Sequence, residues 1–554
     1  MILHTKYKTV LFAALLLAAG LTSCKKMLDE ENLSGITDET LYTTPKGFET
    51  LVNAAYSYQR WWYGKERGYN IGETGTDLWT NGAGDVYPDL TTYQNLQATN
   101  GALQEVWSNF YKAINVCNAG IARVGNSGMD QALQIQRTAE FRFLRAFYYY
   151  HIVETWGGVH LTTEETVGVL TEAQKSSVDD FYNLMIEDLR FAVDNLAPTT
   201  ADYGRATKPA AEAFLARVYL TRGMNAEAGA LAKKVINDYG FSLLSNYADL
   251  WSMNNLQNSE VVYAVNYSAN LNDNDKQDDN VYPDGDNRGS SSAHMLFLMK
   301  YDDQPGVIRS LEYGRPFNRY QPSRYLLYLF NENIDSRFEA SFQNVWYCNQ
   351  PNASARPAGM NIGDTAVFIS KYTIPAAVRT TKNYTIYDDS DIYNTDGSSK
   401  NRLRYISLKK FMDDTRGSIN EAQSVRDAFV IRLAEMYLIA AEAAFNTGNS
   451  EEAATFLNSI RERAGKEGHK EEMDISAAEV NLDFILEERA REFAGEQMRW
   501  FDLKRTGKLK ENLQKYNPHA ITYFKDYHLL RPIPQNQLDA VTNKSEFTQN
   551  AGYQ

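Results

Sequence analysis

Apolar residues return every three to four positions in several stretches of residues 44–252 and again within 421–554, the spacing of helices with one buried face. The stretch "TPKGFETLVNAAYSYQRWWY" predicts a helix that starts near Thr44 and Pro45. A second follows in "LQEVWSNFYKAINVCNAGIARV". A third, "ALQIQRTAEFRFLRAFYYYHIVETW", is apolar on nearly every side from Phe141 to Ile152, which places it deep in a core. Gly157 and Gly158 are its predicted stop. The fourth, "SVDDFYNLMIEDLRFAVDNL", has Ser177 as N-cap, with Asp179 and Asp180 in the first turn where the helix dipole favours negative charge.

One pattern occurs twice. "AEAFLARVYLTRGMNAEAGALAKKVI" from Ala211 and "AEAAFNTGNSEEAATFLNSIRERAG" from Ala441 both read as helix, short glycine turn, helix. Gly223 matches Gly448 at the C-cap, Asn225 matches Ser450 at the N-cap, and Ala228 matches Ala453 at the close crossing. Such tetratricopeptide-like hairpins cannot bury their apolar faces alone, so they stack.

Residues 253–420 lose this periodicity and are rich in Asn, Asp, Gly, Ser and Tyr. "VVYAVNYSAN" and "NVWYCNQ" predict short strands. The polar run "NLNDNDKQDDNVYPDGDNRGSSS" offers Asp273, Asp275, Asp278 and Asp284 to a calcium ion, but the spacing fails the EF-hand pattern and a solvated loop is the favoured reading. The fold class expected is therefore mainly α, a tetratricopeptide-like helical-hairpin scaffold with an irregular, loop-rich insertion containing short strands. Its expected divisions are 1–23, 24–252, 253–420 and 421–554.

Within the first helical half, "ETGTDLWTNGAGDVYPD" (Glu73–Asp89) has no periodicity and reads as loop, yet it carries Trp79. Either this ring folds back as an anchor on the core, or it waits for a flat, weakly polar ligand face. "DFILEERAREFAGEQMRWFDLKRTGKL" reads as one helix with interleaved charges. Glu487 and Arg491 are four apart, while Glu496 and Arg499, and Asp502 and Arg505, are three apart, which favours a structural ion network over a catalytic acid.

Composition narrows the function. A chain of 554 residues holds several cores or one large compound domain. Its net charge of -14 repels phosphate backbones, so nucleic acid is not an expected partner. Cys24, Cys117 and Cys348 contain no CxxC pair; Cys117 and Cys348 could bridge, but two separate thiols are favoured. No nucleophile elbow, zinc HExxH, P-loop or GxGxxG is present, and neither metal nor cofactor is expected. A pair of carboxylates that meets only in space leaves a surface glycoside hydrolase as a minor alternative.

His4, Lys6 and Lys8 precede "VLFAALLLAAG", too short to span a bilayer, and then "LTSCKK". A Leu, two small residues and a Cys resemble a bacterial lipoprotein signal, with residues 1–23 removed and Cys24 lipidated. The charged "CKKMLDEE" that follows accords with export to the surface.

Four further stretches, in order, resemble the SusD/RagB family: "RFLRAFYYYHIVETWGGVHL", "RATKPAAEAFLARVYL", "ERAREFAGEQMRWFDLKRTG" and the ending "LLRPIPQNQLDAVTNKSEFTQNAGY". The resemblance implies a non-enzymatic surface lipoprotein, anchored by its lipid to the outer membrane. It would capture oligosaccharide for a SusC-like TonB-dependent transporter; some relatives take peptides instead, so an oligopeptide is the alternative ligand. It also implies that Arg142, Arg145, Arg489 and Trp500 belong to the scaffold. Aromatic rings stack on the C–H faces of sugars while Asp, Asn and Arg take hydroxyls. On that chemistry the candidate ligand-binding residues are Asp77, Trp79, Asn81, Tyr87, Trp61 and Trp62 from the first half, and Arg319, Tyr320 and Trp346 from the insertion. Trp61 and Trp62 are adjacent, so on a helix they cannot both face one pocket.

Overall fold

The computed structural model describes residues 41–268, 270 and 290–553. Cys24 with the expected signal segment, and Asp273, Asp275, Asp278 and Asp284, lie outside the described residues. The fold is mainly helical. Helix α1 (Pro45–Ser57) starts at the expected place, with Thr44 accepting from Gly47 N and Pro45 in the first turn. After a 3-10 turn (Tyr58–Trp61) comes α2 (Glu66–Gly72). The long helices α3 (Gly101–Arg123), α4 (Gln131–Trp156) and α5 (Val178–Asn195) pack side by side. Gly157, at φ 75, ends α4, and a capping box of Ser177 and Asp180 opens α5.

The repeat is real in three dimensions. Helices α6 (Lys208–Thr221) and α7 (Asn225–Asp238) form one hairpin, and α8 (Leu433–Asn446) and α9 (Ser450–Ala464) the other. Gly223 (φ 71) and Gly448 (φ 85) take the left-handed conformation at each turn, where a Cβ is disfavoured. The caps sit one residue earlier than expected, at Met224 and Asn449; Asn449 Oδ1 accepts from Glu452 N at 3.1 Å. Ala228 and Ala453 are fully buried. A Cβ on Gly229 would stand 3.1 Å from Ala443 Cβ, so α7 and α8 meet at small residues and the two hairpins stack.

Short strands gather in and around the middle region, which also holds short helices such as Arg324–Tyr328. Strand β1 (Trp79–Asn81) pairs antiparallel with β3 (Tyr320–Pro322), Asn81 opposite Tyr320. Strand β2 (Val261–Val265) pairs with β7 (Ala428–Arg432), and β4 (Val345–Tyr347), β5 (Thr365–Ile369) and β6 (Thr385–Tyr387) form a three-stranded sheet. Among the described residues the apolar side chains gather into three clusters: one through the helices of the first half, one in the middle region, and one around the second hairpin. Cys117 and Cys348 are free and buried in different clusters.

The charged helix near the C-terminus differs from its expected form. It is three helices, α10 (Leu482–Phe493), α11 (Arg499–Arg505) and α12 (Leu509–Tyr516), because Gly495 (φ 81) and Gln497 (φ 63) turn the chain between the first two. Its charges mostly pair across the fold. Glu487 and Arg491 stand 3.7 Å apart and Asp502 and Arg505 2.9 Å. Glu496, however, accepts from Arg432 and Lys410, and Arg499 donates to Asp77. Arg337, fully buried, donates to Asp335, Glu488 and Glu492, while Arg432 and Arg463 both reach Glu260 and Glu492. This network joins the insertion, the second hairpin and α10. Arg142 and Arg145 meet Asp188, Arg489 meets Asp502, and Trp500 is buried with its Nε1 donating to Tyr93 Oη, all scaffold contacts.

Candidate binding cleft

The loop after α2 is clamped to the C-terminal helices. Glu73 is buried and accepts from Trp79 Nε1 and Gly495 N through Oε1, and from Met498 N and Arg499 N through Oε2. Burial pushes its carboxyl up to about 7, against these four N–H donors, which pull it down. Asp77 takes a two-pronged contact from Arg499 at 2.8 and 2.6 Å and a third bond from Asn512 at 2.7 Å. Asn517 donates to Thr76 O and Trp79 O.

These contacts correct most of the expected site. Trp79 has no exposed surface: its ring lies 4.7 Å from Phe297 in the middle cluster, and its one polar atom is satisfied by Glu73. It is the core anchor of its loop, not a ligand platform. Asp77 is consumed by Arg499 and Asn512. Asn81 is buried in β1, opposite Tyr320, which is buried too and donates its hydroxyl to Glu66 O while accepting from Asn70 Nδ2. Trp62 points into the helical core, 4.6 Å from His151, and Trp346 is buried in β4, 6.4 Å from Tyr301. Trp61 is buried with the Arg67 guanidinium 5.8 Å over its ring.

Tyr87 and Arg319 are the two that meet at an open cleft. Its volume is about 410 Å3, and Glu66, Arg67, Met295, Leu296 and Phe317 complete its main walls. The cleft lies where the helical and middle clusters adjoin: Tyr87 packs on the first, Leu296 belongs to the second. Two glycines make the approach possible. A Cβ on Gly82 would fall 2.1 Å from Asn318 O, and one on Gly84 2.1 Å from Phe317 O, so segment 82–84 lies flush against 317–319. Arg319 then reaches across: Nε stands 2.7 Å from Glu66 Oε1, one terminal nitrogen donates to Gly84 O, and its plane covers Phe317 at 4.9 Å. Arg67 pairs with Glu105. Beside the cleft, burial raises the Asp85 carboxyl to about 6, although Thr91 Oγ1 and Tyr87 N donate to it.

Chemically, the cleft offers one partly exposed phenol ring, an apolar floor and a charged rim of Arg319 and Glu66. That set suits a ligand with apolar faces and many hydroxyls. The rim carboxylate Glu66 is paired with Arg319, and Arg67 beside it is paired with Glu105. Among the described residues no three His, Cys, Asp or Glu gather at metal-holding distance. Sequence reasoning missed Phe317, Met295, Glu66 and Arg67. "RPFNRY" held a usable signal for the first: a ring flanked by Arg315 and Arg319, whose guanidiniums lie 5.0 and 4.9 Å from it.

A stacked helical-hairpin frame with a loop-built cleft of ligand size on it is more than a repeat array. Residues 250–553 match the SusD family, and residues 45–220 match the family described as "Starch-binding associating with outer membrane". The chain belongs to the SusD family. A SusD-like protein of Formosa agariphila is 25% identical over 96% of this chain and 97% of its own. The starch-binding protein SusD of Bacteroides thetaiotaomicron is 23% identical over the full length of both. Among solved structures, a laminarin-binding SusD-like protein superposes with a TM-score of 0.68 at 24% identity, covering 92% of this chain and 99% of its own. Surface glycan-binding protein A of Bacteroides fluxus gives 0.67 at 19% identity, with the same coverage.

Proposed function

We propose that the protein is an outer-membrane lipoprotein, anchored through Cys24, that captures oligosaccharide in the Tyr87–Arg319 cleft and delivers it to a SusC-like TonB-dependent transporter. The observation that carries this reading is the cleft itself, in which a half-buried ring, an apolar floor and a fixed guanidinium–carboxylate pair converge on a volume of ligand size. The names of the relatives, starch-binding and laminarin-binding, support a glycan as the ligand class. In this reading Tyr87 stacks on the C–H face of one sugar, while Arg319 and Glu66 bond its hydroxyls; Arg319 is held in place before the ligand arrives, which lowers the ordering cost.

Affinity electrophoresis and calorimetry on the soluble chain beginning after Cys24, against a panel of polysaccharides and their oligosaccharides, test it. Tyr87→Ala and Arg319→Ala are expected to abolish retardation by the bound glycan with unfolding midpoints near that of the parent. Stabilisation by mixed oligopeptides and by no glycan would move the reading to peptide capture. Sustained release of reducing sugar, lost on changing Asp85, would make the protein a hydrolase.

A further inference from the structure

The insertion presents a second aromatic surface, unconnected with the cleft's lining. Tyr328 ends the short helix Arg324–Tyr328, and Tyr372 follows strand β5. Their rings are 5.7 Å apart at 87° and form an open corner, and the side chains' residues are 47% and 53% exposed. Most tyrosines of this size in the described chain turn inward; these two do not. Nor are they loose. Tyr328 Oη donates to Lys371 O at 2.7 Å, and Tyr372 Oη lies 3.4 Å from Glu332 Oε2. The Lys371 ammonium, buried beneath them, donates to Leu327 O and Phe330 O and pairs with Glu332, so the turn bearing Tyr328 and the strand end bearing Tyr372 are tied together.

We infer that Tyr328 and Tyr372 form an auxiliary platform for a pyranose unit of a polysaccharide, separate from the Tyr87–Arg319 cleft. The inference rests on the glycan reading proposed above. One ring supplies a flat face for the sugar's C–H groups, the perpendicular ring closes a second side, and the Glu332 carboxylate at the edge accepts a hydroxyl. Fixed rings bind at small entropic cost. The two sites lie close along the chain. Arg319 and Tyr328 are nine residues apart in sequence, so their Cα atoms are at most about 32 Å apart. One long glycan chain, or two neighbouring chains, can engage both, and the second contact then acts at high effective concentration.

The test compares polymer with short ligand. Tyr328→Ala, Tyr372→Ala and Tyr328→Phe are run in affinity gels containing each polysaccharide of the panel, and in calorimetry with the matching trisaccharides. The expected result is a several-fold to tenfold loss of polymer affinity in the two alanine variants, trisaccharide affinity unchanged, and Tyr328→Phe close to the parent because its ring remains. Equal polymer affinity in the parent and both alanine variants, with trisaccharide still bound at the cleft, would overturn the platform and leave the cleft reading standing. Absence of binding to every polysaccharide and trisaccharide would overturn both. Circular dichroism of each variant separates loss of the platform from loss of fold.

Discussion

Trp79 is the sharpest point at which burial and ligand binding predict opposite results. Replacing it with Ala removes a fully buried indole beside Phe297, a change that costs about 3–5 kcal/mol in a core. It also removes a donor to the buried Glu73 carboxylate, a bond of the charged type worth about 1.5–3 kcal/mol. The two overlap, so we predict a loss of at least about 4 kcal/mol, a large fraction of the roughly 5–15 kcal/mol that holds a typical fold. Trp79→Phe keeps most of the ring and should lose only about 1.5–3 kcal/mol. Glu73 adds a pH signature. Its carboxyl is raised in the folded state, from 4.5 to about 7, so the stability it contributes is fully present below pH 4.5 and is lost as pH rises through 7, about 3 kcal/mol over that window. Trp79→Phe removes one of the donors that pull this value down, so the window should extend above pH 7. Guanidinium unfolding followed by circular dichroism between pH 4 and 9 reads all three effects. An unfolding midpoint for Trp79→Ala equal to the parent's, with glycan binding abolished, would refute the anchor role and return the ring to the ligand.

Three further outcomes follow from the same geometry. Asp77→Asn leaves the Arg499 guanidinium buried without its counter-charge and should cost about 3–5 kcal/mol, whereas the double change Asp77→Asn with Arg499→Met should recover part of that loss in a double-mutant cycle. For Glu492, burial acts to raise the carboxyl, but Arg463, Arg432 and Arg337 outweigh it and hold it well below the usual carboxylate range; the stability it contributes is present above pH 4.5 and should be lost as pH falls below that, measured by acid unfolding. Gly82→Ala puts a methyl against Asn318 O, so it should part segment 82–84 from 317–319 and weaken glycan affinity more than it lowers the thermal midpoint, read by calorimetry against differential scanning.

The helices and hairpins were legible because their signals are local. Ser177 with Asp180, Gly223, Gly448 and the all-round apolar run of α4 each fix structure within one or two turns. The burial of Trp79 and Asp77 was not, since what buries them is remote: Arg499 is 422 residues from Asp77, and Gly495 is equally far from Glu73. A loop without periodicity does not say which way its ring points. The same holds for α10, whose charges look like near neighbours on one helix but answer to Arg337, Arg432 and Arg463 from elsewhere. Of the cleft, Tyr87 and Arg319 were recoverable from side-chain chemistry. Glu66 and Met295 became visible only when strands β1 and β3 brought two distant segments together.

The clamp on the Glu73 loop also sets a timetable. Ribosomes add about 5–20 residues per second, so Gly495 and Arg499 appear roughly 20–85 s after the residues they hold. Until then Glu73 lacks its Gly495, Met498 and Arg499 donors and Asp77 lacks Arg499 and Asn512, although Phe297 and strand β3 are already there to hold Trp79. The walls of the cleft, from Glu66 to Arg319, are all made well before that, so what comes last is the brace behind them. A shortened chain ending before Gly495 keeps every wall of the cleft and loses the brace, leaving the Glu73 and Asp77 carboxylates buried without their remote donors.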